Sequence, residues 1–515
     1  MTEFTSEKKE ECGGDHEAVK TSFDNGVIEL ESMPQFSAEA EKRLVRKIDF
    51  RILPIMLVAY MMSFVDKQTL NYSAIMGLLT DLKLHGTEYS WTSSIFYFGY
   101  LAFSYPASLL LVKFPLGKYL ACTYYSLCWA VVLACHAATT NFTGLMVARF
   151  FLGCAEASVT PGFGLLTSLW YRTSEQPLRH GIWFCGNSLS LVLGNAIAVG
   201  IWQIKDSLAS WKWMFIIFGI VTFLWGFLML LRLPDSPTNA SFLTDEERVI
   251  ALARLKANKA GYKNNKIEWD QVIEAFTDPK TWFLAVFVLG CNIPNGGYTT
   301  FSGLILKGFG YDTEHTLLLG MPGGFIVFLI ILISCFTSTK ISNSRCITSI
   351  ILSCVSILGT ALVNSTTTIA SRYIGLILMS LYSVSLPLSL AMISANIGGI
   401  TKRATVSAIY FIMYCVGNII GPQLFFESQA PRYQSGFIAV FVCLAVVVVD
   451  LAAFVVYLRW ENARRDRLGM GMGTREGEER EVLSDVTDLK NPGFRPRSQT
   501  TKQLPRYSQG IHLYY

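Results

Sequence analysis

The stretch ILPIMLVAYMMSFVDKQTLNYS, residues 52–73, is apolar over most of its length yet carries Asp66 and Lys67 side by side. A helix crosses the roughly 30 Å hydrocarbon layer with about 20 apolar residues, because each residue rises about 1.5 Å. The stretch therefore reads as a membrane span. Eleven further blocks of similar length run near 90–111, 117–138, 144–167, 181–202, 211–231, 281–303, 315–336, 346–364, 370–393, 405–426 and 436–458. Twelve such blocks account for about half of the chain.

The composition agrees. The chain has 515 residues, 51% hydrophobic and 16% charged, with mean hydropathy +0.39. A soluble protein carries about 25% charged residues, so an ordinary soluble enzyme, a disordered chain and a coiled coil are excluded. A net charge of +5 is too weak to point to a nucleic-acid partner. The 12 cysteines are scattered, with no metal-site spacing and no disulfide framework, and read as small apolar fillers. No phosphate loop, zinc motif, nucleophile elbow or dinucleotide fingerprint is present. That argues against an ATP-driven pump and most membrane enzymes, and no metal or cofactor is expected.

The blocks divide six and six, which predicts an all-α membrane protein of two pseudo-symmetric six-helix halves. The expected organisation is a polar N-terminal segment (1–49), a first bundle (50–231), a polar central loop (232–280), a second bundle (281–460) and a disordered tail (461–515). The polar start has no apolar signal core, so the first span is expected to direct its own insertion. With the N-terminus in the cytosol, the inner loops hold Lys113, Lys118, Arg172, Arg179, Lys340, Arg345, Lys402 and Arg403, and the outer loops hold Lys83, Lys205, Lys212, Lys307 and Arg432. Positive charge gathers on the cytosolic side of membrane proteins, so both termini are expected there. Asn141 and Asn364 begin sequons in very short outer loops, where little glycosylation is expected.

A charge at the bilayer centre costs roughly 2.5–3.5 kcal/mol on insertion scales. The spans nevertheless hold Asp66, Lys67, Arg149 and Glu156. Arg149 and Glu156 lie two helical turns apart and share a face. Asp66 and Glu156 are expected to take and release protons, and Lys67 and Arg149 to hold an anion. The competing reading is that the four charges only pair with one another to lock the helices. Asp450, Arg372 and His136 read as packing or interface residues. Span seven carries Asn292-Ile293-Pro294-Asn295-Gly296-Gly297-Tyr298, and span eleven carries Gly417-Asn418-Ile419-Ile420-Gly421-Pro422. Pro removes a backbone donor and Gly loosens a helix, and the freed groups must face protein or a wet cavity. Broken helices at a substrate site, using Asn292, Asn295, Tyr298 and Asn418, are expected on one reading and ordinary kinks on the other. Tyr60, Trp183, Phe184 and Tyr414 are candidate cavity walls.

Fragments in sequence order resemble the major facilitator superfamily, and within it the anion:cation symporters and the fungal allantoate permease group. They are Ser63-Phe64-Val65-Asp66-Lys67, Arg149 with Gly153 and Glu156, Trp170-Tyr171-Arg172 with Glu175 and Arg179, Leu233-Pro234-Asp235-Ser236-Pro237, Ile293-Pro294-Asn295-Gly296-Gly297, Lys307-Gly308-Phe309-Gly310-Tyr311, and Gly417 through Gln423. The resemblance covers roughly 45–465. It implies proton-driven uptake of a small organic anion, such as allantoate, a related ureide, or a nicotinate-like or vitamin acid. It also implies alternating access between two rocking halves, a single chain sufficing. Asp66 and Glu156 would take the protons, and the proton gradient would be the driving force. Position 67 holds Lys, which lacks the bidentate fork that fits a carboxylate, where the family more often has Arg. The loop between spans two and three lacks the family's acid, which leaves Arg172, Glu175 and Arg179 as the implied gate. The plasma membrane is the expected location. Alternatives are a proton-coupled exporter, disfavoured because span five has no Gly-Pro, and a non-transporting nutrient receptor.

Overall fold

The computed structural model describes residues 23–24, 27–28, 37–125, 129–172, 175–259, 268–340, 344–468 and 487–490. Apart from a short antiparallel pairing of Phe23–Asp24 with Val27–Ile28, its regular structure is helical. Ten helical segments are long and apolar enough to cross a membrane. Two further crossings complete twelve. Span three is Leu116–Tyr125 followed by Trp129–Cys135 and the 3-10 turn His136–Ala138. Span seven is Pro279–Lys307, long enough to cross but diluted by Asn, Gly and Thr.

Span one, Ala38–Ile75, begins earlier than the expected boundary at 50. Ser37 caps it by accepting from the Ala40 amide at 3.2 Å, and Glu39 and Glu41 in the first turn complement the positive end of the helix. Spans two, six and eight are Glu88–Lys113, Ser210–Arg232 and Thr313–Lys340. Spans nine, eleven and twelve are Arg345–Ser365, Ile400–Gln423 and Gln434–Arg467. Span twelve thus continues past the expected boundary at 460. Two amphipathic helices, Asp245–Lys259 and Trp269–Thr277, lie between the halves in sequence. The beginning of span one, these two helices and the end of span twelve share one face of the molecule, here termed the terminal face.

The fourth span of each half is interrupted. Span four runs Phe142–Glu156, turns, and resumes as Val159–Trp170. Span ten runs Ile369–Met379, a 3-10 stretch Ser380–Val384, then Ser385–Asn396. A proline follows each break, Pro161 and Pro387. Neither can donate to the carbonyl four residues earlier, which lies at Ala157 or Ser383, so each helix is weakened at its break. Span five also divides, into Gln176–Phe184 and Gly186–Trp202.

Span seven does not break. The expectation of an interrupted helix at Asn292–Tyr298 is corrected by one continuous helix. Its glycines serve close packing instead. A Cβ on Gly296 would stand 2.8 Å from the Asn418 carbonyl oxygen, and one on Gly421 would stand 2.3 Å from that of Ile293. Small residues let membrane helices approach closely, and backbone contact then replaces the hydrophobic drive that lipid removes. Spans two and four meet the same way. A Cβ on Gly99 would stand 2.1 Å from Phe150 O, and one on Gly153 would stand 2.0 Å from Phe96 O.

The halves meet where span one faces seven, span five faces eight and span two faces eleven. Hydrogen bonds that cross between them gather away from the terminal face. Asn71 donates to Ser302 Oγ at 3.0 Å and accepts from the Gly303 amide at 3.1 Å. Lys307 Nζ donates to Ile75 O at 2.8 Å, and Tyr89 OH to Thr300 O at 2.8 Å. A cavity of about 40 Å³ beside Asn71, Tyr72 and Tyr298 remains there. At about 10–15 Å³ per water it holds a few waters and no organic acid.

Of the expected tail, residues 487–490 are described, with Thr487 and Asp488 buried against the protein and Leu489 and Lys490 exposed. For these four residues the expectation of disorder is corrected. The rest of the tail beyond 468, and the polar start before residue 37 apart from the short pairing, lie outside the described residues.

Candidate functional site

Asp66 and Lys67 follow one another on span one, so their side chains leave the helix about 100° apart. Lys67 turns toward span four. Its Nζ lies 2.8 Å from Glu156 Oε2 and 3.4 Å from Ser63 Oγ. Ser63 Oγ donates to the same carboxylate oxygen at 2.9 Å. Glu156 is the last residue of the first half of span four, beside the break. Its side chain is fully buried, whereas that of Lys67 keeps 18% of its surface open. The pair is therefore reached through the lysine. Among the described residues Glu156 Oε1 has no hydrogen-bond partner.

Asp66 turns toward span three, where Trp129 Nε1 donates to Oδ2 at 2.7 Å. Oδ1 has no partner. Trp129 was not among the expected site residues, because a lone Trp in a span carries no signal of what it will meet.

Arg149 is 2% exposed. Its Nε and Nη2 have no hydrogen-bond partner among the described residues. Among the described residues neither Glu156 nor Asp66 bonds it: Glu156 is engaged by Lys67 and Ser63, and Asp66 by Trp129. The reading in which all four charges neutralise one another in pairs thus holds for Lys67 and Glu156 but does not account for Arg149. An unpaired buried guanidinium is costly, and buried polar groups in native proteins are nearly always bonded.

Aromatic rings surround the lysine. Its Nζ lies 5.5 Å from the Phe96 centroid and 5.7 Å from that of Tyr100. Tyr97 meets Tyr414 at 6.1 Å and Tyr100 meets Phe411 at 5.2 Å, which joins span two to span eleven across the two halves. Tyr60 packs on Trp183 at 4.7 Å and on Phe184 at 5.7 Å. Three of these wall residues, Phe96, Tyr97 and Tyr100, were not singled out from the sequence. Their spacing places them on one face of span two, but membrane spans are rich in such rings.

The remaining candidates fall elsewhere. Asn418 donates to Asn292 Oδ1 at 3.0 Å and accepts from Asn295 Nδ2 at 2.8 Å. Asn292 also donates to Val288 O at 2.7 Å and Asn418 to Tyr414 O at 2.9 Å. The three amides form a ladder between spans seven and eleven within one half. Tyr298 lines the small cavity at the closed end of the molecule. Arg172 pairs with Glu41 at 2.8 Å, Glu175 with Arg254 at 2.6 Å, and Arg179 with Asp49 at 2.9 Å. These ties run within the first half and to helix Asp245–Lys259. Asp450 lies in an apolar groove between spans seven and twelve, Arg372 covers the Phe309 ring at 4.3 Å, and His136 stacks on Phe215. Among the described residues no group of His, Cys, Asp and Glu could hold a metal ion.

Known proteins share this architecture. The Major Facilitator Superfamily family model matches residues 56–422. An uncharacterized transporter of Schizosaccharomyces pombe, C417.10, is 40% identical over 90% of each chain. The allantoate permease of Saccharomyces cerevisiae is 37% identical over 93% of this chain and 89% of its own. A crystal structure of a bacterial homolog of the human lysosomal transporter Spinster superposes with TM-score 0.58 at 14% identity, covering 82% of this chain and 98% of that one. At that identity the likeness speaks for the fold. The chain belongs to the major facilitator superfamily, in its group of fungal allantoate permease-like membrane transporters.

Proposed function

We propose that this transporter carries out proton-coupled uptake of a small organic anion, a carboxylate such as allantoate or a related ureide, or a nicotinate-like or vitamin acid. The observation that carries the reading is Arg149, buried, with Nε and Nη2 lacking a hydrogen-bond partner among the described residues. A guanidinium presents a planar fork that suits a carboxylate. A substrate carboxylate supplies the missing acceptor, and Lys67, open on one side, supplies a second cation.

Glu156 competes with the substrate for Lys67. A proton on Glu156 frees the lysine for the incoming anion, and loss of that proton returns the lysine to Glu156 and releases the anion. Asp66, with Oδ1 unengaged, is the second proton carrier. Proton and anion thus travel together. The proton cancels charge that would otherwise oppose a negative-inside potential, worth about 2.3 kcal/mol per charge per 100 mV. Both termini lie in the cytosol of a plasma-membrane protein in this reading. One chain, surrounded by lipid, suffices. No nucleic acid, metal or bound cofactor takes part.

The test is uptake in transporter-deficient yeast, with labelled carboxylates at pH 5 and pH 7, with and without a protonophore. The expected outcome is accumulation of one acid at pH 5 that the protonophore abolishes. Uptake that persists unchanged without a gradient would sink the coupling, and no uptake of any acid by protein at the cell surface would sink the anion reading.

A further inference from the structure

A short piece of the tail is built into the terminal face of the second half. Asp488 is fully buried. Its Oδ1 accepts from Lys402 Nζ at 2.8 Å and from the Gly398 amide at 2.9 Å. Its Oδ2 accepts from Lys280 Nζ. Its backbone carbonyl accepts from Arg465 Nη1 at 3.0 Å. Thr487, 1% exposed, donates from Oγ1 to Glu274 Oε2 at 2.9 Å.

These partners come from separate elements: Glu274 from helix Trp269–Thr277, Lys280 from the start of span seven, Gly398 from the turn after span ten, Lys402 from the start of span eleven and Arg465 from the end of span twelve. One carboxylate holds the two lysines and the Gly398 amide, while the Asp488 carbonyl and the Thr487 hydroxyl add Arg465 and Glu274. The receiving surface is shaped for the segment. A Cβ on Gly398 would stand 2.7 Å from the Asp488 amide nitrogen. Gly399 adopts φ +85°, and a Cβ there would stand 3.0 Å from the Thr487 methyl.

The first half is closed by the same logic with the charges reversed. The helix that follows span six seats Arg254 between Glu41 and Glu175. The segment that follows span twelve seats Asp488 between Lys280 and Lys402. Each half is thus tied at the terminal face by the chain that leaves it.

We propose that Thr487–Lys490 is an intramolecular strap that holds the terminal-face ends of spans seven, eleven and twelve as one body, and that negative charge placed on Thr487 releases it. Thr487 lies against Glu274, and Asp278 stands 2.7 Å from the same Lys402 that serves Asp488. The lysines are already engaged by Glu274, Asp278 and Asp488. An anion at Thr487 therefore meets carboxylates. Release of the strap loosens the ends of helices that have to move together when the halves rock.

Trypsin digestion of the full-length purified transporter tests this, because Lys490 ends the strap and a protease that binds the chain around it needs the buried Thr487 and Asp488 undocked. Cleavage after Lys490, followed by mass spectrometry, is expected to run at least about tenfold faster in Asp488→Asn and in Thr487→Glu. Thr487→Ser, which keeps the hydroxyl, is expected to match the native protein. Hydrogen exchange of the backbone around Gly398–Lys402 is expected to rise in the same two variants, which separates undocking from global misfolding. Equal cleavage and exchange in all four proteins would overturn the strap. Fast cleavage in Asp488→Asn with native behaviour in Thr487→Glu would overturn the role of Thr487. No substrate is needed, so the result is independent of what is transported.

Discussion

Replacing Lys67 with methionine keeps the bulk of the side chain and removes the cation that faces Glu156. At 2.8 Å the two charges attract by about 6 kcal/mol with an effective dielectric constant near 20. Most of that offsets the desolvation of the pair, several kcal/mol for each ion. The net value of the intact pair is therefore small, but the cost of breaking it is not. In Lys67→Met the fully buried Glu156 retains only the Ser63 hydroxyl, and stranding a charge in this way costs about 3–5 kcal/mol. In Glu156→Gln the lysine keeps Ser63 and its open side, so the loss is about 1–2 kcal/mol. The double variant strands nothing and is expected within about 1 kcal/mol of the native protein. At roughly 2 °C per kcal/mol, the Tm of detergent-purified protein falls by about 6–10 °C in Lys67→Met and recovers in the double variant. Fluorescence-monitored unfolding of the four proteins gives the cycle. Additive shifts, with the double variant the least stable, would refute the pairing and with it the competition between Glu156 and substrate for Lys67.

Arg149→Gln removes a charge that has no bond to lose, so Tm is expected to hold or rise. Anion uptake is expected to weaken by about 2–5 kcal/mol, at least about thirtyfold in KM, and an unchanged KM would contradict the anion-site reading. Asn418→Leu breaks the amide ladder with Asn292 and Asn295 and is expected to cost about 1–3 kcal/mol in stability with KM little altered; a large KM effect at full stability would return these residues to the substrate site. Gly153→Leu places side-chain atoms where the Phe96 carbonyl stands and is expected to abolish surface expression, while Gly164→Ala, whose Cβ meets nothing, leaves it intact. The strap should also respond to acid. Burial alone would raise the Asp488 carboxyl, but Lys280 and Lys402 beside it hold it below the usual carboxylate range, with Glu274, Asp278 and Arg465 completing its surroundings. A lowered acid contributes stability above its ordinary value of about 3.9 and loses it as pH falls through the folded value. Cleavage after Lys490, by a protease active in acid, is thus expected to stay slow at neutral pH and to quicken only below about pH 4.

The run lengths that mark the spans are local properties, and the bilayer thickness converts them directly into crossings. The four intramembrane charges were legible for the same reason, since a charge in an apolar run stands out whatever its partners. Span seven, by contrast, misled. Asn292-Ile293-Pro294-Asn295-Gly296-Gly297 has the composition of an unwound segment, yet its glycines meet the backbone of span eleven and its amides meet Asn418. Local composition does not distinguish a helix that opens from one that packs unusually close.

By itself, then, the sequence determined that this chain crosses a membrane in two groups of six helices and that Asp66, Lys67, Arg149 and Glu156 are carried into the apolar layer, because hydropathy and charge are set residue by residue. Only the tertiary structure decided which of those charges are neutralised. Span four lies against span two at Gly99 and Gly153, Lys67 reaches its Glu156, and Arg149, two turns away, is left buried, its Nε and Nη2 without a hydrogen-bond partner among the described residues. It also decided that Asp488, far along a polar tail, belongs beneath Lys280 and Lys402. Such pairings depend on distances between helices, and those distances are fixed by packing that no single segment encodes.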